Sequence, residues 1–276
     1  MTTITNIDSL RALMGLNQAN KTITQASQRL STGLRVNSAA DDVAGLAVAN
    51  DLKTQIGSFN SVLTNIAQGS AAASTVDSAL TEVVDILGYI REAAVSAESS
   101  TVTTTEAAAY QDAIDAYVTA ISTIFTNATY NGTSLMSSTA TSLDIQTGVN
   151  SGDSTTITFD AISTTLLGIS SLDVSTSTTT AATAVSAIDD ALDTVNTYQT
   201  YIGAMSNVMD SQYTVANDTV TNFSAAYGNI MNADYAAETA KLAAAQIQRD
   251  GAAAMMLQST DLDRSLVDYL LKSVSN

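Results

Sequence analysis

The longest hydrophobic pattern in the chain is a stripe of positions spaced alternately three and four residues apart, from Val185 to Ala237. Thirteen of its sixteen positions are apolar or tyrosine, and the mean step of 3.5 residues is the one with which long helices wrap around each other. The positions are Val185, Ile188, Leu192, Val195, Gln199, Ile202, Ser206, Met209, Tyr213, Ala216, Val220, Phe223, Tyr227, Ile230, Asp234 and Ala237. A stripe of more than fifty residues predicts a helical rod. Such a rod can bury its stripe only against another rod, in the same chain or in a neighbour.

Weaker helical patterns flank this stripe. Residues 4–32 carry an amphipathic pattern that begins at Ile4, and Gly33 follows as a stop signal. A second long helix is expected from about Ala44, and a third over residues 106–126. After Asn232 the sequence becomes rich in alanine, which favours a last helix packed closely among neighbours.

The apolar stripe of the second helix consists of two halves. The first contains Leu52, Ile56, Phe59, Leu63 and Ile66, and the second contains Val76, Leu80, Val83, Leu87, Ile90 and Ala94. The halves fall out of phase between Ser70 and Thr75, where we expect a local change in helix winding.

The centre of the chain changes to a β pattern. Tyr130–Thr133 carries a turn signal, and apolar residues alternate with polar ones over residues 143–147 and 156–159. Residues 148–153 form a loop suited to a hairpin. The sequence therefore predicts a mostly α fold: a long antiparallel coiled-coil helical rod with a small β-hairpin unit, both termini being paired as helices.

Composition excludes most catalytic chemistry. The chain has no cysteine and no histidine, and residues 92–240 contain no lysine or arginine. No serine or threonine there has an evident base, so we expect no enzyme, no cofactor and no catalytic or metal site. Asp189, Asp190 and Asp193 could form a cation site, but like charges on one helix are more typical of a solvated face.

The charge distribution also restricts the partners. Residues 92–240 hold sixteen of the twenty-seven acidic residues, whereas the two ends together carry ten basic and eleven acidic groups. The ends can therefore crowd together without strong repulsion. Nucleic acid is not expected as a partner, because the chain lacks a basic face with which to release counterions from phosphates.

The sequence shows neither a cleavable signal peptide nor a membrane-spanning segment. Residues 1–21 show no basic region, compact apolar region or cleavage site, so export without a cleaved signal peptide is expected. No window approaches about 20 uninterrupted apolar residues, so no membrane partner is expected.

Two segments are similar to the signatures of a known family. Residues 29–48, RLSTGLRVNSAADDVAGLAV, resemble the N-terminal signature of bacterial flagellin, and residues 232–238, NADYAAE, resemble its C-terminal signature. The region from Tyr130 through the 146–153 loop is similar to the hairpin region of that family. The resemblance implies a role in polymerisation for the signature positions. They are Arg29, Leu30, Gly33, Leu34, Arg35, Asn37, Asp41, Asp42, Gly45, Asp234, Tyr235 and Glu238.

Elementary chemistry suggests roles for some of these residues. Gly33 allows a left-handed turn at the end of the first helix. Asn37, Asp41 and Asp42 can hold the connecting segment through bonds from side chain to backbone. Arg35 can bridge to a carboxylate on the returning part of the chain.

The resemblance implies a secreted, extracellular subunit that polymerises with itself into the bacterial flagellar filament. It implies a coiled-coil inner-core domain from residues 1–40 and 236–276, and a helical rod domain from residues 41–130 and 181–235. Residues 131–180 would be the hairpin part of the rod, with no variable outer domains. Further implied partners are a flagellar export chaperone and the cap and junction proteins.

The resemblance also locates a surface that an animal innate-immune receptor reads in some flagellins. Those flagellins present an arginine and a leucine on the second helix and a glutamate on the third. The equivalent positions here are Tyr89, Ala93 and Ala113, so the surface has diverged, although Arg91 and Glu92 remain nearby. Weak receptor binding is expected.

Two alternatives stay open at this point. A hook–filament junction protein shares terminal helices, and a secreted coiled-coil adhesin would share the long helices. Neither class accounts as well for the match over residues 29–48.

Overall fold

Helices make up most of the chain. The computed structural model describes residues 7–274, and within them the helices are α1 (Ile7–Thr32), α2 (Val43–Ala97), α3 (Thr104–Asn127), α4 (Thr178–Met231) and α5 (Tyr235–Val274). The mostly α fold with helices at both ends is confirmed. Ile4, which the sequence assigns to the first helix, lies outside the described residues. None of the described helices has a stretch both long and apolar enough to cross a bilayer.

The predicted long helix is present as α4, which has 54 residues, but the apolar stripe extends beyond its end. Helix α4 ends at Met231, and α5 begins at Tyr235. Asp234 caps α5, because its side-chain oxygen Oδ1 accepts hydrogen bonds from the backbone N–H groups of Ala236 at 2.9 Å and Ala237 at 3.1 Å. A capping residue has non-helical backbone angles, so the helix stops even though the apolar spacing continues.

Contacts divide the chain into two compact units. The first unit contains the described parts of residues 1–54 and 223–276, and the second contains residues 55–222. This division is a property of the isolated chain, so the inner-core and rod boundaries drawn from the sequence stay predictions.

The second unit has one continuous apolar core. Its largest fully buried side chains include Leu80, Leu87, Ile90, Ile114, Ile121, Phe159, Ile188 and Ile202, from α2, α3, the hairpin and α4. Helices α2 and α4 run antiparallel in this unit: Arg91 Nε lies 2.6 Å from Asp189 Oδ1, and Gln199 Nε2 lies 3.0 Å from Thr81 Oγ1.

The predicted hairpin is present in the second unit. Strand β3 (Thr141–Gln146) pairs antiparallel with β4 (Ser154–Phe159), with Leu143 opposite Ile157. The short strands β1 (Thr129–Tyr130) and β2 (Thr133–Ser134) precede it. Asn131 and Gly132 join β1 to β2 with φ of 49° and 77°, as a two-residue primed turn requires.

The phase change of the α2 stripe coincides with a close contact between helix and hairpin. Helix α2 is continuous there, and Gly69 faces Ile145 of β3 so closely that a Cβ on Gly69 would lie 2.8 Å from Ile145 Cγ1. The following Ala72 and Ala73 are fully buried. Small residues replace large ones in the stripe because β3 packs directly on the helix, while the predicted change in winding stays a prediction.

Replacing Gly69 with alanine tests this contact. We expect Gly69→Ala to lower the free energy of unfolding of the second unit by about 1–3 kcal/mol, the usual range for overpacking a filled core. Urea unfolding followed by circular dichroism measures the change.

Gly88 of α2 provides the matched control, because nothing lies within 4 Å of a Cβ built there. Gly88→Ala should raise stability by up to about 1 kcal/mol, the helix preference for alanine over glycine. Equal stabilisation by both substitutions would show that the contact between Gly69 and Ile145 is not tight.

Candidate functional site

The two signature segments meet in the first unit, where α1 ends. Gly33 closes α1 in the left-handed region, with φ of 72°, and its N–H donates to the Arg29 carbonyl at 2.9 Å. The Tyr235 hydroxyl donates to the Leu30 carbonyl at 3.2 Å, and a Cβ on Gly33 would lie 3.4 Å from that hydroxyl. Gly33 therefore makes the left-handed turn that the sequence predicts for it, and a Cβ there would be in ordinary van der Waals contact with Tyr235.

A short backbone bridge joins the segment after α1 to the segment after α4. Leu34 and Asn232 form an isolated antiparallel β-bridge. The Arg35 N–H donates to the Met231 carbonyl at 2.6 Å, and the Ala233 N–H donates to the Gly33 carbonyl at 2.9 Å. The two signatures are thus held together by main-chain hydrogen bonds, which do not depend on side-chain identity.

Arg35 does not make the predicted bridge to a returning carboxylate. Its guanidinium Nη2 instead donates to the Ile230 carbonyl at 2.5 Å, and it lies 4.0 Å from Asp42 Oδ2 of its own segment. The last carbonyls of a helix have no partner within the helix, so the end of α4 offers acceptors to a nearby cation. Arg35 therefore caps α4.

The ion pair between the two segments is made by Arg29. Its Nη1 atom lies 3.2 Å from Glu238 Oε1, which also accepts a hydrogen bond from Lys241 Nζ at 2.8 Å. Glu238 is only 4% exposed, so this carboxylate is held between two cations away from most water. The hydrogen bond from Lys241, assisted by Arg29, lowers the pKa of Glu238 below its ordinary value.

The sequence placed Arg29 and Glu238 in the two signatures but did not pair them. A spacing of three residues on one helix indicates the contact between Glu238 and Lys241. No local signal links Arg29 to a residue more than two hundred positions away.

The connection between α1 and α2 is held by the predicted carboxylates. Asp41 Oδ2 accepts hydrogen bonds from the N–H groups of Asn37 at 3.2 Å and Ser38 at 3.0 Å, and from the Ser38 hydroxyl. These hydrogen bonds lower the pKa of Asp41, and the bond from the Ser38 hydroxyl has the largest effect. Asp42 Oδ1 accepts from the Gly45 N–H at 2.8 Å, and a Cβ on Gly45 would collide with the Asp42 carboxylate.

Helices α1 and α5 pack antiparallel with small residues between them. Gly15 faces Ala252, where a Cβ would be 3.8 Å from the alanine Cβ, and Arg29 faces Glu238 further along. Among the side chains of these two helices whose burial is described, the buried apolar ones are Ala19, Ala26 and Ala245. Several of the large apolar side chains are exposed, namely Ile7, Leu10, Leu13, Met14, Ile247, Met255, Leu257 and Val267.

The positions that the resemblance predicts to be equivalent to the receptor surface lie in the second unit. Tyr89 is half exposed and stacks on Tyr117 of α3 with ring centroids 5.9 Å apart. Arg91 is engaged by Asp189, and Glu92 is exposed. Ala93 and Ala113 are partly buried and offer only a methyl group.

The acidic cluster on α4 does not form a metal site among the described residues. Asp189 is paired with Arg91, and no group of three potential ligands comes together in the described part of the chain. The site described here thus contains packing surfaces, helix caps and ion pairs, which are elements of assembly.

Family comparisons agree with the order of these segments. Residues 4–141 match the bacterial flagellin N-terminal helical region, and residues 185–270 match the C-terminal helical region. The chain is 31% identical over 262 residues to a flagellin of Halalkalibacterium halodurans, covering 93% of each protein. It is 31% identical over 248 residues to flagellin FljM of Caulobacter vibrioides, covering 89% of each.

Other relatives are longer or share the fold alone. A flagellin of Serratia marcescens is 36% identical over 177 residues, which cover 64% of this chain and 50% of that protein, so the chain matches half the length of that relative. The crystal structure of Bacillus cereus flagellin superposes with a TM-score of 0.50 at 24% identity, over 59% of this chain and 94% of the other.

The buried carboxylate of Glu238 provides a test of the site. Glu238→Gln removes the charge that faces Arg29 and Lys241, so we expect it to lower stability by about 1–3 kcal/mol, the usual worth of a hydrogen bond to a charged group. Because the pKa of Glu238 is lowered in the folded protein, its stabilisation is present above the ordinary value of 4.5 and is lost as pH falls through the lowered one.

Thermal unfolding at a series of pH values measures this effect, with Asp250→Asn of α5 as the control. Asp250 is exposed and pairs with its sequence neighbour Arg249, a pair that contributes little to stability. Glu238→Gln should flatten the decline in stability below pH 4.5, whereas Asp250→Asn should not. Identical acid profiles for wild type and Glu238→Gln would contradict the assignment.

Proposed function

The chain belongs to the bacterial flagellin family and is a structural subunit of the flagellar filament, and from this premise we propose that its first unit supplies the surface through which copies polymerise. The observation that carries the proposal is the apolar surface of α1 and α5, where alanines are buried and large aliphatic side chains face outward. A soluble monomer gains nothing from this arrangement. A helical polymer of one chain does, because each copy covers the exposed side chains of another.

The free energy available from such burial is large. Covering one leucine, isoleucine or methionine side chain contributes about 1.5–3 kcal/mol. Several such side chains are exposed along α1 and α5, so their joint burial offsets a large part of the cost of association. Extended apolar patches of this kind mark interaction surfaces rather than solvent faces.

The distribution of charge also favours the first unit as the surface through which copies polymerise. Nine basic and ten acidic residues give the first unit a net charge of −1, whereas seventeen carboxylates and one arginine give the second unit −16. First units of neighbouring copies therefore approach without strong repulsion. Second units approach one another only with counterions or water between them.

We propose the layer assignment of the family for this chain. Residues 1–40 and 236–276 form the inner core, residues 41–130 and 181–235 form the rod, and residues 131–180 form the hairpin part of the rod. The antiparallel contact of α1 with α5 and the hairpin of β3 with β4 support these assignments.

Several partners follow from membership of the family and are proposals for this chain. They are a flagellar export chaperone, a filament cap and the junction proteins. Export without a cleaved signal peptide is proposed as well, and the intact mass of the extracellular protein tests it. A mass short of the N-terminal residues would contradict it.

The two alternative functions have less support than the filament subunit. The family matches and relatives are flagellins, and they do not favour a hook–filament junction protein or an adhesin. The flagellin family is structural, and the chain is not an enzyme.

A charge placed on the exposed face of α5 tests the polymerisation surface. Ile247 is 74% exposed, so Ile247→Asp should leave the monomer helical. If neighbours bury Ile247, the substitution should raise the critical concentration for polymerisation about 10-fold to 100-fold, from the loss of about 1.5–3 kcal/mol. Sedimentation and electron microscopy of salt-induced polymers measure the critical concentration.

Val215→Asp is the matched control, since Val215 is 67% exposed on α4 in the second unit. We expect a much smaller effect from it. An equal rise for the two variants, or no rise for Ile247→Asp, would contradict the special role of the terminal helices.

Weak activation of the animal innate-immune receptor is a further prediction. Tyr89 is stacked on Tyr117, Arg91 is paired with Asp189, and Ala93 and Ala113 offer no polar group. Reporter cells that express the receptor should respond far less to this protein than to a flagellin with the arginine, leucine and glutamate in place. A response of equal strength would overturn the prediction.

A further inference from the structure

Methionine is the residue of this chain that a peroxide modifies most readily. The chain has eight methionines but no cysteine, no tryptophan and no histidine. A cysteine thiolate would otherwise compete for the oxidant, because it is a strong nucleophile. A two-electron oxidant that meets this protein therefore reacts at a methionine sulfur.

The fold buries some of these sulfur atoms and exposes others. Met136 and Met209 are buried in the core of the second unit, and Met231 is buried in the first unit. Met14 of α1 and Met255 of α5 are each 63% exposed. Within residues 7–274, these two are the methionines that the structure leaves widely open to solvent. A peroxide dissolved in water therefore reaches them first.

Both exposed methionines belong to the terminal helices. Gly15 of α1 faces Ala252 of α5, with 3.8 Å between a Cβ built on the glycine and the Cβ of the alanine. Met14 precedes Gly15, and Met255 follows Ala252 by less than one helical turn. The two methionines therefore lie at nearly the same level of the helix pair. The adjacent Leu13 is exposed as well.

We propose that Met14 and Met255 are modification sites for a hydroperoxide, and that their conversion to methionine sulfoxide blocks polymerisation until the sulfoxide is reduced. This inference rests on the proposed role of α1 and α5 in polymerisation. It adds a chemical control to that surface, because a subunit then polymerises only while both thioethers are intact.

The modification transfers one oxygen atom. A lone pair of the thioether sulfur attacks the terminal oxygen of the hydroperoxide, so that an S–O bond forms and the O–O bond breaks. The proton of that oxygen passes to the leaving alkoxide, which departs as an alcohol, or as water when the oxidant is hydrogen peroxide. Sulfur loses two electrons, and the peroxide gains them. Methionine sulfoxide reductases reverse the oxidation.

The sulfoxide makes an apolar contact unfavourable. Its oxygen is a hydrogen-bond acceptor on a side chain that was flexible and hydrophobic before the reaction. An aliphatic side chain of a neighbouring copy offers this oxygen no donor, and burying a polar group without a hydrogen bond destabilises the complex. We expect the critical concentration for polymerisation to rise about 10-fold to 100-fold for each sulfoxide that a neighbour buries.

Treatment of the full-length monomer with hydrogen peroxide tests the inference. Peptide mapping by mass spectrometry follows each methionine, and we expect Met14 and Met255 to react before Met136 and Met209. Catalase then removes the peroxide, and sedimentation of salt-induced polymers gives the critical concentration. It should rise on oxidation and return to the untreated value after methionine sulfoxide reductases of both epimer specificities have acted. Equal oxidation of buried and exposed methionines, or normal polymerisation of protein oxidised at Met14 and Met255, would overturn the proposal.

A matched pair of double variants assigns the effect to the exposed methionines. For each variant the measure is the ratio of its critical concentration after peroxide to that before peroxide, so an effect of the substitution itself cancels. Leucine has a similar volume to methionine but no sulfur. Met14→Leu combined with Met255→Leu should bring this ratio close to unity, whereas Met136→Leu combined with Met209→Leu should keep the wild-type ratio. Equal ratios for the two double variants would overturn the assignment.

Preformed filaments provide a second readout. If neighbouring copies bury Met14 and Met255, the same treatment should oxidise them far more slowly in filaments than in monomers, at a rate close to that of Met136 and Met209. Equal rates in filaments and monomers would contradict the proposal.

The Ile247→Asp variant distinguishes failure of this inference from failure of the proposed function. If Ile247→Asp raises the critical concentration and oxidation of Met14 and Met255 does not, the inference alone is wrong. If neither change raises it, the terminal helices do not form the polymerisation surface, and both proposals are wrong.

Discussion

The rest of the structure depends on how little the terminal helices can bury on their own. Among the described residues of α1 and α5 the buried apolar side chains are alanines, and several leucine, isoleucine and methionine side chains are exposed. Hydrophobic stabilisation scales with the apolar area removed from water. The contact between these two helices therefore gains little hydrophobic stabilisation in an isolated chain. The close approach that small residues permit fixes the antiparallel arrangement, and the outward side chains are available to other copies.

The bridge at Gly33–Arg35 and Met231–Ala233 gives this arrangement its register. Main-chain hydrogen bonds fix the two segments, the ion pair of Arg29 with Glu238 fixes α5 against α1, and Asp234 starts α5. Each of these contacts is short in range and specific in geometry. Together they align residues that are about two hundred positions apart in the chain.

Much of the fold could be predicted from the sequence because it depends on local patterns. The helices follow apolar spacing, the end of α1 follows from a glycine at positive φ, and the hairpin follows from alternation around a turn-forming loop. The change to an alanine-rich pattern after Asn232 indicated a separate last helix, but apolar spacing carries no information about a cap, so the role of Asp234 was not predicted. The exposed face of α1 and α5 could not be read from spacing either, because the sequence does not say which stripe a partner covers.

Contacts between distant residues were the least predictable. Arg29 pairs with Glu238, and Arg35 caps α4 rather than reaching a carboxylate, and both outcomes depend on the return path of the chain.

The scarcity of basic residues in the second unit has a consequence for the surroundings in which the protein works. With one arginine against seventeen carboxylates, this surface must hold a cloud of mobile cations from the medium. That cloud extends about 30 Å in dilute fresh water at 0.01 M ions and about 3 Å in a 1 M brine. The same polypeptide is therefore effectively thicker in dilute water than in brine, so salinity sets the spacing at which its acidic surfaces tolerate each other.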